Sequence, residues 1–122
     1  MFKNIQSACL SGTQSLAVGV EVSATAGLPQ ETIIGLPDTV IKESRARIKS
    51  AILLAWFEFP AMSYIINLAP TDVLKLNISL ELAMCVAILQ VTNQICINET
   101  FCFIGGISLD GRITPVQQLL PN

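Results

Sequence analysis

Ser79 stands just ahead of the longest purely apolar run of this 122-residue chain, Leu82 to Leu89. If that run is a helix, the Ser79 hydroxyl meets its positive end. Two readings are open for it. As a cap, the hydroxyl accepts from the first free helix amides. As a nucleophile it needs a base, and because the chain contains no histidine only a lysine could serve. The missing histidine also removes a Ser-His-Asp triad, a Cys-His pair and any His-ligated metal site. Lys75 is the lysine nearest to Ser79 in sequence.

Other groups suggest weaker chemistry. Lys42, Arg45 and Lys49 recur at helical spacing and could touch phosphates, or form a solvated helix face with Glu43 nearby. Asp72, Glu81, Glu99 and Asp110 are scattered, and nothing in their spacing brings two carboxylates together. Gly105-Gly106 lacks the Gly-Lys-Ser/Thr of a phosphate-binding loop, so it reads as a bulge or a close backbone approach. Cys9, Cys85, Cys96 and Cys102 contain no C-x-x-C pair. They are expected to be reduced thiols with no bound metal, Cys85 being a buried structural one.

Composition bounds the rest. The length allows one domain with a modest core. Apolar residues are 52% of the chain and charged residues 13%, about half the usual charged share. Some of the surface is therefore expected to be covered by something else. The net charge of −2 gives no general attraction to nucleic acid. Eight apolar residues in a row cannot span a bilayer, and Met1-Phe2-Lys3-Asn4 begins no long apolar run, so no signal peptide and a cytoplasmic protein are expected.

Local patterns then place these residues on elements. Residues 2–10 and 16–25 read as strands joined through Ser11–Ser15. Leu16, Val18, Val20 and Val22 alternate with smaller or polar residues, which gives one buried face. Residues 31–35 form a short third strand. Asp38 is placed to cap a helix. Ile41, Ser44, Ile48, Ala51, Ile52 and Ala55 form its buried stripe, and Pro60 stops it near Trp56. Met62 to Leu68 is a buried strand. A second helix runs from about Leu80 to Thr92, apolar all round and hence central. Phe101 to Leu109 and Arg112 to Val116 pair through a tight Asp110-Gly111 turn. The expected fold is α+β, β-β-β-α-β-α-β-β, with two helices packed on a mixed sheet.

Four segments carry a resemblance. They are Thr32-Ile33-Ile34-Gly35-Leu36-Pro37-Asp38 with Val40 and Lys42-Glu43-Ser44-Arg45; Phe57-Glu58-Phe59-Pro60; Ile66-Asn67-Leu68-Ala69-Pro70 with Asp72; and Ser108-Leu109-Asp110-Gly111 with Pro115-Val116. In this order and spacing they resemble the N-terminal domain of the YifB/ComM family, the magnesium-chelatase-subunit-like AAA+ proteins. The resemblance extends from near residue 1 to residue 121.

The resemblance implies a fold like the Lon protease domain and certain ribosomal protein domains. Lon-type enzymes use a serine at the start of the buried helix and a lysine after the final hairpin. Ser79 falls at the serine position, but Leu120 occupies the lysine position and cannot take a proton. No catalytic activity is therefore expected of this chain. The chain departs from the YifB/ComM pattern too: the loop before the second helix, where the family usually has charged residues and then Gly-Ser-Ser-Phe-Asp-Leu-Pro, is here Leu76-Asn77-Ile78-Ser79-Leu80-Glu81-Leu82-Ala83, and Gly106 stands where an acidic residue is usual.

Residues 1–122 are expected to be one domain, cut short at its C-terminal end and lacking the ATPase module that follows it in the family. ATP and Mg belong to that module, and no cofactor is expected here. The leading expectation is an accessory domain with an assembly, regulatory or DNA-contacting role in DNA processing and competence. Its partners would be its own AAA+ module or further copies of itself, with DNA reached through the parent protein and Lys42, Arg45 and Lys49 as the candidate contacts. The alternatives are a degenerate serine hydrolase using Ser79 and a stand-alone protein-interaction module.

Overall fold

The computed structural model describes residues 1–11, 14–69, 80–97 and 101–114. Its elements are β1 (Phe2–Ser11), β2 (Gln14–Thr25), β3 (Gln30–Ile34), α1 (Asp38–Leu54), β4 (Ser63–Ala69), α2 (Glu81–Val91), β5 (Gly106–Ile107) and β6 (Ile113–Thr114). The α+β order is the one read from the sequence, and the first six elements shift by only a residue or two. β1, β2, β4 and β3 form a mixed sheet in that spatial order, antiparallel except for the parallel β3–β4 pair. Parallel neighbours need a crossover, which α1 supplies.

Alternation along the strands sorts the two sheet faces. Ile5, Val20 and Leu68 sit side by side across β1, β2 and β4, and Val22, Ile66 and Ile33 across β2, β4 and β3. All six are buried. On the opposite face Ile34, Ile65 and Phe2 are exposed, and the Asn67 side-chain amide donates to Glu21 Oε1 at 3.1 Å. α2 packs over β1 and β2, with Ala83 through Leu89 buried, as a helix apolar all round must be.

The helices run side by side in the same sense. Arg47 of α1 meets Glu81 at the head of α2. Beyond their C-terminal ends, the Gln94 amide accepts from Glu58 N at 2.8 Å and donates to Glu58 O at 2.7 Å.

Several boundaries differ from the sequence reading, each for a local reason. Asp38 is the first residue of α1 rather than its cap. Pro37 holds the cap position and no side chain caps the helix; the Pro37 carbonyl instead accepts from Val40 N and Ile41 N at 2.9 and 3.1 Å. Val40 is buried, Ile41 is half-buried and Ala55 is exposed, so the buried stripe begins one residue earlier and ends sooner.

The C-terminal end of α1 is set locally rather than by Pro60. Trp56 takes a left-handed φ of 71°. Trp56 N then donates to Leu53 O and Phe57 N to Ile52 O, the bond pair of a Schellman motif. α2 ends the same way through Asn93, φ 61°, with Asn93 N to Gln90 O and Gln94 N to Leu89 O.

The expected strand 101–109 contracts to Gly106–Ile107 and pairs only with Ile113–Thr114, as a separate two-stranded sheet. Its connection, 108–112, contains the expected tight turn: Gly111 N donates to Ser108 O at 3.0 Å, and Gly111 takes a φ of 89°. Upstream, the chain runs beside β1 instead, through a bridge from Gln6 to Cys102 and a bond from Phe103 N to Gln6 O. Gly105 makes the close approach foreseen for the glycine pair: its carbonyl accepts from Leu82 N at 3.0 Å, and a Cβ there would lie 3.1 Å from Ile113.

Gly35 carries the turn from β3 into α1. Its φ is +113°, and a Cβ would stand 2.7 Å from the Leu68 carbonyl oxygen. Both the dihedral and backbone contact therefore require glycine. Gly35→Ala is expected to lower unfolding free energy by about 2 kcal/mol or more, measured by urea denaturation, and an unchanged midpoint would contradict this account of the turn.

Candidate functional site

The most organised polar cluster among the described residues lies between the two helices. Glu81, the first residue of α2, is 1% exposed. A charged carboxylate in such a place requires a paired charge and hydrogen bonds. Arg47 provides the charge, with Nη2 to Glu81 Oε2 at 2.7 Å and Nε 3.0 Å from both carboxylate oxygens. Ser44, buried one turn earlier on α1, donates from Oγ to Oε2 at 2.8 Å.

Arg47 itself keeps 27% of its side chain exposed, and its Nη1 lies 4.0 Å from Glu43 Oε1. Its guanidinium is held further toward the charged form, chiefly by the hydrogen bond to Glu81 and then against the cost of burial. The carboxylate thus has both oxygens engaged from α1. Its effect is to fix where α2 begins.

One turn along α2, burial and then the charge of Glu81 push the Cys85 thiol up to about 12. Little nucleophilic thiolate forms there near neutrality, as befits a structural thiol. Cys96 and Cys102 are exposed. Among the described residues, no group of three or more Cys, Asp or Glu side chains could hold a metal ion. Among the described residues, an apolar hollow of about 140 Å³ lies between α1, α2 and the β5–β6 hairpin. Its walls include Ile52, Phe57, Cys85 and Ile107 and bring no catalytic pair together.

The residues singled out from the sequence fare differently. Ser79, Leu120, Lys75, Asp72 and Glu99 lie outside the described residues. The cap position of α2 is Leu80, one residue beyond Ser79. Lys42, Arg45 and Lys49 are exposed on one flank of α1. Arg45 Nη1 donates to the Glu31 carbonyl at 3.1 Å, and Lys49 Nζ sits 5.5 Å from the centre of the Phe59 ring.

Asp110 organises the hairpin loop. It accepts from Ser108 Oγ and Arg112 N, and these two bonds, the first larger in effect, hold its carboxyl below the usual range. Sequence reasoning missed the Glu81–Arg47–Ser44 cluster. Its signal was present in two anomalies: a serine within an apolar helical stripe and a glutamate heading an apolar helix, each of which needs a partner once buried.

The comparisons with known proteins accord with the four resembling segments. Residues 20–122 match the family described as subunit ChlI of Mg-chelatase, and the chain belongs to this family. It is 36% identical over 107 residues to the uncharacterized protein YifB of Salmonella typhimurium, covering 86% of the chain and 21% of that protein. Against the competence protein ComM of Haemophilus influenzae it is 32% identical over 112 residues, covering 90% and 22%. An uncharacterized Mycobacterium tuberculosis protein is 30% identical over 117 residues, covering 94% and 23%. The chain thus spans about a fifth of the length of each of these relatives.

The ion pair generates an ordered set of stabilities. Arg47→Ala leaves a buried carboxylate uncompensated and is expected to cost about 3–5 kcal/mol. Glu81→Gln leaves instead a cation that reaches water, and should cost about 1–2 kcal/mol. Arg47→Met with Glu81→Met should cost less than Arg47→Ala alone. Chemical denaturation checks the order; equal losses for Arg47→Ala and Glu81→Gln would contradict the asymmetry of burial.

Proposed function

We propose that this chain is a non-catalytic accessory domain, N-terminal in a longer YifB/ComM-type magnesium-chelatase-like AAA+ protein, with a fold like that of the Lon protease domain. The carrying observation is the state of Glu81: the carboxylate nearest Ser79 in sequence is engaged by Arg47 and Ser44. Leu120 stands where the resemblance requires a lysine, which leaves the protease-like scaffold without a base. ATP and Mg are assigned to an ATPase module outside these residues, and no cofactor to this domain.

Assembly is the role the surface supports best. Leu53, Leu54, Leu109 and Trp56 are exposed around the end of α1 and the hairpin. Such apolar surface fits contact with the protein's own AAA+ module or with further copies. The competence name of the Haemophilus relative supports our reading of DNA processing, in the cytoplasm, as the setting. Among the described residues no helix is long and apolar enough to cross a membrane.

The purified chain is expected to hydrolyse neither ATP nor peptides and to leave a serine-reactive fluorophosphonate unreacted. Labelling at Ser79 that disappears in Lys75→Ala would overturn this reading in favour of the degenerate hydrolase.

DNA contact is a second role, supported by the exposed Lys42, Arg45 and Lys49 flank. Replacing all three by alanine should then reduce the slope of log K against log salt by about 0.9 for each phosphate no longer neutralised. An unchanged slope removes the flank from that role.

A further inference from the structure

We propose that the outward stripe of α1 is a docking face for an amphipathic helix of a partner protein, with carboxylates in one half of that helix and aliphatic side chains in the other. This goes beyond the accessory-domain reading by naming the surface and the chemistry that fits it.

Lys42, Arg45, Lys49 and Leu53 follow one another at helical spacing, and Trp56 stands just past the helix end. The stripe lies opposite the buried Val40, Ser44, Ile48, Ala51 and Ile52. Ala46 and Ser50 run beside it, and with Lys49, Leu53 and Leu54 they line a shallow hollow. Small residues there let a second helix approach closely. The face is therefore basic at one end, low in the middle and apolar at the other.

Neither end serves the stability of α1 itself. Cations stabilise a helix at its C-terminal end, yet Lys42 and Arg45 occupy the N-terminal half and the last turn has no basic residue. Trp56 is 95% exposed and holds a left-handed φ of 71°. Glycine, or asparagine as in Asn93 of α2, occupies such a cap without that penalty. A tryptophan that accepts backbone strain while burying nothing is accounted for by a surface outside this chain.

Two of the three cations are already held in place. Arg45 leans on the Glu31 carbonyl through one nitrogen, and Lys49 rests over Phe59. Side chains ordered before binding lose less entropy on binding. A phosphate backbone would match the basic half and leave Leu53 and Trp56 uncovered. A helix with carboxylates and aliphatic groups in separate halves matches both.

Trp56 is the only tryptophan in the chain and reports directly on the face. The probe is a displayed library of random 16-residue peptides selected on the intact chain. Enriched peptides should carry Asp or Glu in one half and Leu, Ile or Met at helical spacing in the other. They should shift Trp56 emission to shorter wavelength with a Kd of about 10 μM. Lys42→Glu with Lys49→Glu should weaken binding tenfold or more, a change of about 1.4 kcal/mol. Trp56→Gly, followed through a dye on the peptide, should do the same while leaving the chain at least as stable to urea.

Any of four results overturns the proposal. These are no enrichment, enriched peptides without the two-part pattern, binding indifferent to these substitutions, or a 20-base-pair duplex that shifts Trp56 where the peptides do not.

Discussion

The buried carboxylate of Glu81 is the constraint around which the two helices are arranged. It lies at the head of α2, the element whose apolar surface fills the centre of the domain. Its charge is tolerable there only because Arg47 and Ser44 reach it from α1. The pair therefore fixes the longitudinal position of one helix against the other, a specification that apolar packing alone supplies weakly. The Gln94 amide clasps Glu58 beyond the far ends of the same helices, so the pair is held at two separated places.

Once α1 and α2 are aligned, backbone contacts place the remaining pieces. Gly35 lets the chain turn against the Leu68 carbonyl as it leaves β3. The Gly105 carbonyl takes a first-turn amide of α2, which secures the segment before the hairpin to the helix it passes. The hairpin loop then rests on α1, where Ser50 Oγ donates to the Leu109 carbonyl at 2.8 Å and Gly111 faces Ala51 and Ala55. In each case a contact closer than a side chain permits, or a hydroxyl placed on a carbonyl, does what a longer hydrophobic element would do in a larger domain.

This arrangement gives α1 two distinct tasks. Its inner face carries the apolar residues and the ion-pair partners. Its outer face carries Lys42, Arg45, Lys49 and Leu53, none needed to hold the core together. The low charge of the chain thus has a spatial expression: apolar surface collects around the end of α1 and the hairpin, including Trp56 and Leu109. The chain belongs to a family whose matched relatives it covers over only about a fifth of their length.

The sequence by itself determined the elements whose cause is local. Alternation in Val18, Val20 and Val22 and the uninterrupted apolar run of α2 specify buried faces wherever they are packed. The four segments with Gly35 and Gly111 at their turns were likewise enough to identify the lineage. Tertiary structure alone decided what depends on partners distant along the chain. Arg47 and Glu81 are separated by 34 positions, and no periodicity links a flank of one helix to the head of another. The strand expected over 101–109 dissolved for the same reason, because its upstream part found β1 instead of a hairpin partner. A side chain's local pattern states which way it faces; only the fold states what it meets there.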